Sequence, residues 1–336
     1  MRGFRLERAD EYSHRPTAEP NFNESVYANG WDPRLRMGAW MRLGNRVNEG
    51  HAELSVCIYL PDGRVACQFR RPQIDSNERH AAGGMAYAVL EPFHAVEMSY
   101  RGELMVLDDP QLLRNPAALF RDAPRATGAV EFRLDGVSPL HGGEPTAPEQ
   151  ETMYGRDFSL GHFNQHTRTR GRIQVGDQSW EIDGFGWRDH SWGPRYWQNI
   201  YFYRLFTANF GADRGFMLLK RTDREHRVHR VGVLQYDGDY EDIIDLDVFT
   251  EWDARKDPQR VQLGVRPPRR AVRISGEVLT MAPLRNRRQV GDQELACRIA
   301  EGFTLWRWED GREGLGMTER DEPFALGERG GDATEH

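Results

Sequence analysis

Apolar and polar side chains alternate in short stretches along this chain, and Gly-containing turns separate the stretches. Ala52 to Tyr59 alternates, Pro61-Asp62-Gly63 supplies a turn, and Arg64 to Phe69 runs back. A period of two puts every second side chain on one face of a strand, so each such stretch predicts a half-buried strand and each turn a hairpin. The same pattern joins Arg168–Val175 to Ser179–Asp183 through Gly176-Asp177, and Ile200–Phe206 to Phe216–Lys220 through Gly211 to Gly215. Further hairpin turns are expected at Arg101-Gly102 and Asp237-Gly238-Asp239, since Gly and Asp tolerate the positive φ of tight turns. One stretch differs: Gln111–Arg121, with Pro116 placed for a first turn and Leu119 and Phe120 behind it, predicts a single short helix. Many antiparallel strands without interleaved helices exclude a doubly wound fold and predict a mainly β chain of barrels or sandwiches. The Pro- and Gly-rich stretch Pro139–Pro148 is the expected linker, dividing the chain into domains 1–150 and 151–336.

Composition narrows the function classes. At 336 residues the chain is long enough for two ordinary domains. Its 45 basic and 52 acidic residues are mixed, giving a net charge of -7 and no basic stripe, which argues against a nucleic-acid partner. Three cysteines, none in a CxxC pair, make no disulfide framework, and no apolar run of about 18 residues is present. With no apolar leader at Met1 to Arg8, these features predict a cytoplasmic protein without an integral membrane segment. Aromatic residues are plentiful, with nine Trp, which favours lined cavities and a hydrophobic small-molecule partner.

The chemistry concentrates between Trp180 and Trp197, where Trp180, Trp187, Trp192 and Trp197 surround Arg188, Asp189 and His190. The string Gly184-Phe-Gly-Trp-Arg-Asp-His-Ser-Trp-Gly-Pro-Arg195 resembles bacterial proteins related to hydroxyneurosporene synthase (carotenoid 1,2-hydratase) and the AttH group. Asn23-Glu24-Ser25 with Trp31-Asp32-Pro33, His162 to His166, and Gly311 to Glu319 extend the resemblance over about residues 23 to 319. The resemblance implies two tandem lipocalin-like antiparallel β-barrels with one short helix, the second barrel carrying the motif. It implies a cofactor-independent hydratase, dehydratase or isomerase acting on an isoprenoid, polyketide or aromatic molecule. A non-catalytic carrier of a lipophilic ligand and a cyclase or pericyclase remain alternatives.

Hydrating an unactivated alkene needs a carboxylic acid kept protonated by an apolar pocket and a base that steers water. Asp189 and His190 are the candidate pair, and the resemblance adds Asp213 as a further acid. Trp187, Trp192, Trp197, Arg188, Arg195 and Glu319 are candidate substrate-binding residues. In the bland alternative, Asp189 pairs with Arg188 or Arg195 and pins a corner. Adjacent side chains on a strand face opposite ways, so only one of Asp189 and His190 is expected to reach the interior. His190 is favoured, because the resemblance to the hydratases is strongest over His190-Ser-Trp192. No cofactor and no metal are expected: His162 and His166 lack a zinc-binding context, and Gly184-Phe-Gly186 lacks the third glycine and helix of a dinucleotide loop. Asn23-Glu24-Ser25 has glycosylation spacing without an export signal, and no function is expected of it.

Overall fold

The computed structural model describes residues 3–147, 149–155, 158–196, 200–223, 225–290 and 293–325. Trp197 and the polar Gly327–His336 end lie outside the described residues. The chain forms two compact units: residues 1–106, 124–197 and 237–240, and residues 107–123, 198–236 and 241–336. Among the described residues, no helix is long and apolar enough to cross a membrane.

Eight strands make the first unit's barrel: β1 (Phe22–Asp32), β2 (Met37–Arg46), β3 (His51–Tyr59), β4 (Val65–Arg70), β5 (Ala95–Leu107), β6 (Arg125–Gly136), β7 (Gly161–Val175) and β8 (Gln178–Pro194). Each pairs with its neighbour in chain order, and β8 returns to pair with β1, so the sheet closes on itself. Closure removes the unpaired edges that an open sheet would expose. Inside, alternate residues such as Val26, Met41, Leu54, Val96, Leu134 and Ile182 form one apolar core.

The second unit repeats the up-and-down plan with β9 (Ile200–Asn209), β10 (Arg214–Asp223), β11 (Val228–Tyr236), β12 (Asp245–Trp252), β13 (Pro258–Arg266), β14 (Val272–Val290), β15 (Gln293–Trp308) and β16 (Glu313–Ala325). Their order is β11-β10-β9-β16-β15-β14-β13-β12. Arg230 Nε donates to the Leu246 carbonyl at 3.1 Å, and the Ile243 N–H to the Gly232 carbonyl at 3.1 Å, drawing the β11 and β12 ends together. Phe206, Phe216, Trp306 and Trp308 dominate this core. The fold is thus mainly β and lipocalin-like, two antiparallel up-and-down sheets in tandem.

Three expectations are corrected. The stretch read as a linker contains a short strand, His141–Pro145, paired to β7 through His141↔Asn164. Its glycines allow that pairing, since Gly142 takes a φ of 107° and a Cβ there would lie 2.2 Å from the His162 carbonyl. The boundary consequently falls near Trp197 and not at 150, and β8 with its motif belongs to the first barrel. No hairpin turn forms at Arg101-Gly102, because β5 continues through both residues in register with β6. The expected short helix forms as Pro116–Asp122, with Pro116 in its first turn and Asn115 capping it by accepting from the Ala118 N–H, and a 3-10 turn, Pro110–Arg114, precedes it.

The motif glycines have a packing reason. A Cβ on Gly186 would lie 1.9 Å from the Asn29 carbonyl oxygen, and one on Gly184 equally close to that of Trp31. Here the β8–β1 ladder is interrupted between Phe185↔Trp31 and Arg188↔Ala28, and the Asn29 side chain accepts from the Trp187 N–H at 2.8 Å. Because backbone cannot retreat as a side chain can, Gly186→Ala is expected to cost about 2 kcal/mol or more of unfolding free energy, measured by denaturant titration.

Candidate active site

Strand β8 distributes its motif over two faces. Arg188, His190 and Trp192 share the inward face with Ile182, whereas Trp187, Asp189 and Ser191 lie on the other. Both of β8's ladders hold through His190, which pairs with Phe163 of β7 and Val26 of β1, so no bulge reorients it.

His190 is fully buried, and its Nε2 lies 2.6 Å from Glu24 Oε1. Glu24 stands on the inward face of β1, two residues before Val26, and it also takes the His14 Nδ1 proton at 3.0 Å and the His14 backbone N–H at 3.1 Å. Burial pushes the Glu24 carboxyl upward, but hydrogen bonds from His14 and His190 overcome that and hold it down to about 2. His14 faces a second carboxylate through Nε2, 3.3 Å from Asp10 Oδ1. Burial opposes its positive charge, but Glu24 and then Asp10 outweigh that and raise the imidazole above its ordinary value. Its ring also stacks on Trp192 at 3.9 Å between centroids, and Trp192 Nε1 donates to Glu144 at 3.1 Å.

Two buried imidazole nitrogens around this cluster are left over. His190 Nδ1 and His80 Nε2 have no hydrogen-bond partner among the described residues, and their rings meet edge to face at 5.4 Å. Phe163 closes on His190 at 5.5 Å. Burial, followed by the neighbouring His190, lowers His80 to about 4, so it sits neutral with Ser13 Oγ 3.3 Å from its Nδ1.

Arg188 lies on the same face but is consumed by structure. It forms a fork with Glu11 at 2.5 and 3.1 Å, donates to Tyr87 Oη at 3.0 Å, and donates twice to Gln165 Oε1. Both ends of the pair are buried. Burial pushes Glu11 upward, yet Arg188 keeps its carboxyl below the ordinary value. Arg188, expected among the substrate-binding residues, is engaged in an ion pair that fastens residues 8–11 to the barrel.

The other candidates disperse. Asp189 keeps company with His162 at 3.7 Å on the opposite face, so the acid and base expected as partners are separated by the strand itself. Trp187 packs against Tyr27 at 5.7 Å on that same face, and Arg195 donates to Ser191 Oγ at 2.6 Å and covers Phe158. In the second unit, Asp213 sits in an exposed turn and pairs with Arg312 at 3.0 Å. Glu319 accepts from Tyr203 Oη and stands cross-strand from Glu301, whose carboxyl is raised well above its usual range by burial and then by Glu319 and Asp321. Sequence reading passed over Glu24, His14, Asp10 and His80. The usable signal was Glu24 breaking an otherwise inward apolar alternation with Val26 and Ala28.

His14 Nδ1, Glu24 Oε1 and His190 Nε2 lie within 4.8 Å of one another, the one grouping of potential metal ligands among the described residues. Ligand atoms on a tetrahedral zinc at about 2.0 Å stand roughly 3.3 Å apart. The 2.6 Å contact is proton-sharing distance, so the arrangement fits a relay better than a cage.

The sequence profile of a family described only as a domain of unknown function, DUF7064, matches residues 7–323. The chain belongs to this family. Among solved structures, the DUF7064 chain is similar to an AttH-type protein of Nitrosomonas europaea, with a TM-score of 0.59 at 13% identity over 95% of this chain and 97% of that one. It is similar to kievitone hydratase from Nectria haematococca, with a TM-score of 0.54 at 9% identity over 94% and 92%. It also resembles CghA in complex with Sch210972, at 0.50 and 11% identity over 91% and 89%. At these identities the likeness is one of fold. No curated protein matches the DUF7064 chain in sequence.

Two outcomes test this geometry. Arg188→Met strands the buried Glu11 carboxylate and is expected to cost about 3–5 kcal/mol, most of it recovered in Glu11→Leu/Arg188→Met, as read by a double-mutant unfolding cycle. His80 is depressed in the fold, so the unfolded chain gains its proton first, and stability falls as pH drops from 6.5 to about 4. His14, which is raised, has the opposite sign: its contribution is present below 6.5 and fades as pH rises through its folded value. A pH series of unfolding midpoints should show His80→Phe losing less than wild type between 6.5 and 4, by on the order of 3 kcal/mol.

Proposed function

We propose that the polar end of the first barrel's interior performs acid–base chemistry on a hydrophobic small molecule. The reaction class is hydration, dehydration or isomerisation of a carbon–carbon double bond. The observation that carries this reading is the buried His190, with Nε2 on Glu24 at 2.6 Å and Nδ1 without a protein partner among the described residues.

A carboxylate only accepts, so Nε2 of His190 is the donor to Glu24, and the tautomer that makes this bond carries its lone pair on Nδ1. In hydration, water at Nδ1 gives up its proton there as its oxygen bonds one carbon of the double bond, and the imidazolium formed lies against ionised Glu24. The proton then passes to the other carbon of the former double bond; in dehydration the ring instead takes a proton from carbon and hands it to the hydroxyl that departs from the neighbouring carbon as the double bond forms. His14 is a positioning residue, since its charge keeps Glu24 ionised. The indole of Trp192 and the ring of Phe163 border the imidazole, suiting an apolar substrate. Support also comes from the kinship of Gly184–Arg195 to hydroxyneurosporene synthase relatives and from a fold shared with kievitone hydratase. We place the activity in the cytoplasm, the reducing setting that three cysteines suit.

A lipophilic carrier is the competing reading, favoured by the apolar lining below the polar end. A panel of lipophilic alkenes and tertiary alcohols, incubated without added cofactor and followed by mass spectrometry, separates the two. Turnover is expected, falling by about 10²-fold or more in His190→Ala and also in Glu24→Gln, while Asp213→Asn stays near wild type. Unchanged turnover in His190→Ala rejects the assignment, and binding of the panel with no conversion establishes the carrier.

A further inference from the structure

His190 offers a base's lone pair, but no strong acid stands beside it among the described residues. Glu24 accepts from His190 Nε2, from His14 Nδ1 and from the His14 backbone N–H. Asp10 accepts from the Glu7 N–H at 2.7 Å and faces His14 Nε2, and Glu11 accepts from Arg188, Tyr87 and the Phe93 N–H. Carboxyls bound in this way act as acceptors, and both ring nitrogens of His14 are spent on Glu24 and Asp10. Protonating an isolated double bond makes a carbocation and needs a protonated carboxyl in an apolar pocket. A double bond conjugated to a carbonyl does not, because water adds to its far carbon while the charge moves onto the carbonyl oxygen. Such a substrate asks for a base and, at that oxygen, a hydrogen-bond donor.

His80 stands where that donor is needed. Its ring meets His190 edge to face, with 5.4 Å between centroids, and its Nε2 is buried without a hydrogen-bond partner among the described residues. A carbonyl oxygen and the carbon next to that carbonyl are only two bonds apart, so one such unit laid against two neighbouring rings meets both. The backbone around His80 is pinned: Asn45 donates to the Arg79 carbonyl at 3.0 Å, Asn77 to the His14 carbonyl at 2.8 Å, and the Tyr87 N–H to the His80 carbonyl at 2.8 Å. Ser13 Oγ lies 3.3 Å from His80 Nδ1. When that hydroxyl donates, the ring's own proton is on Nε2. Burial and then His190 keep His80 neutral, so it donates without setting a second imidazolium beside the one formed on His190.

We propose that His80 is a further catalytic residue whose Nε2–H binds a substrate carbonyl oxygen, and that the substrate class is an α,β-unsaturated ketone or the β-hydroxy ketone that is its hydrate. The assignment rests on the acid–base role given to His190. In dehydration, His190 Nδ1 takes the proton from the carbon between the ketone and the carbinol. The C–H electron pair forms a double bond to the carbonyl carbon, and the carbonyl π pair moves onto oxygen, where His80 Nε2–H holds the enolate. The carbonyl then re-forms, the displaced pair makes the alkene, and the hydroxyl leaves as water with the proton from His190. Hydration is the same path in reverse, and His80 keeps its proton throughout.

Two alcohols that differ by a carbonyl test the proposal: the hydrate of benzalacetone, a β-hydroxy ketone, and α-ethylbenzyl alcohol, which lacks the ketone. Growth of alkene absorbance reports their dehydration by the full chain. The ketone is expected to be converted and the simple alcohol to be left intact. Conversion of the ketone should fall about 10²-fold in His80→Phe, and by a similar factor in His190→Ala. Should His80→Phe fail to fold, the pair of alcohols decides alone. Equal conversion of the two alcohols, or wild-type conversion of the ketone by His80→Phe, overturns the assignment and leaves His190 its role. Conversion of other lipophilic alkenes or alcohols without conversion of the ketone overturns it in the same way, whereas no conversion of any of them overturns the reading of His190 as well.

Discussion

Strand β8 is hydrogen-bonded on both sides, to β7 and to β1, and everything at the site follows from that double ladder. A strand held on both edges cannot rotate, so its side chains alternate strictly between the two faces. Arg188, His190 and Trp192 go inward, and Asp189 and Ser191 go outward. One contiguous motif therefore serves two environments, which is why a string dense in titratable groups does not assemble them into one constellation. The glycines at 184 and 186 belong to the same constraint, for they let β1 approach closely enough to form the second ladder.

The partners His190 needs come from elsewhere in the chain. Glu24 arrives from the barrel's first strand, and His14 and Asp10 come from the segment leading into it, so one carboxylate gathers protons from two imidazoles. In a low-dielectric interior, an ionised carboxylate is tolerable only with such partners. The Glu11–Arg188 fork fixes that leading segment, and Tyr87 and Gln165 complete its hydrogen bonds. A buried ion pair of this kind contributes little net stability against an apolar replacement, yet losing one half is costly. Its effect is to hold residues 8–14 in one place.

On the inward face, the orphan nitrogens of His80 and His190 stand among aromatic rings, and on the outward face the orphan donors of Arg42, Arg46 and Asn23 stand over small residues. Both sets are buried polar atoms without a hydrogen-bond partner among the described residues, a cost that a folded chain carries where something else completes the hydrogen bonds. The first suits proton transfer, because it offers a lone pair backed by a carboxylate.

Alternation and turn chemistry made the mainly β class legible in the sequence, along with the strands around Gly176-Asp177 and Gly211–Gly215, because these are local properties of consecutive residues. That Asp189 and His190 lie on opposite faces was legible for the same reason, since a period of two needs no knowledge of the partner strand, but which of them points inward was not fixed by the period. The unit boundary was not legible, because the Pro- and Gly-rich stretch resembles a linker until its glycines are found pairing with β7. Nor was the pairing of His190 with Glu24, 166 residues earlier in the chain. Strand order and register decide which side chains meet across a barrel, and the closing β8–β1 ladder joins segments whose spacing along the chain carries no local signal.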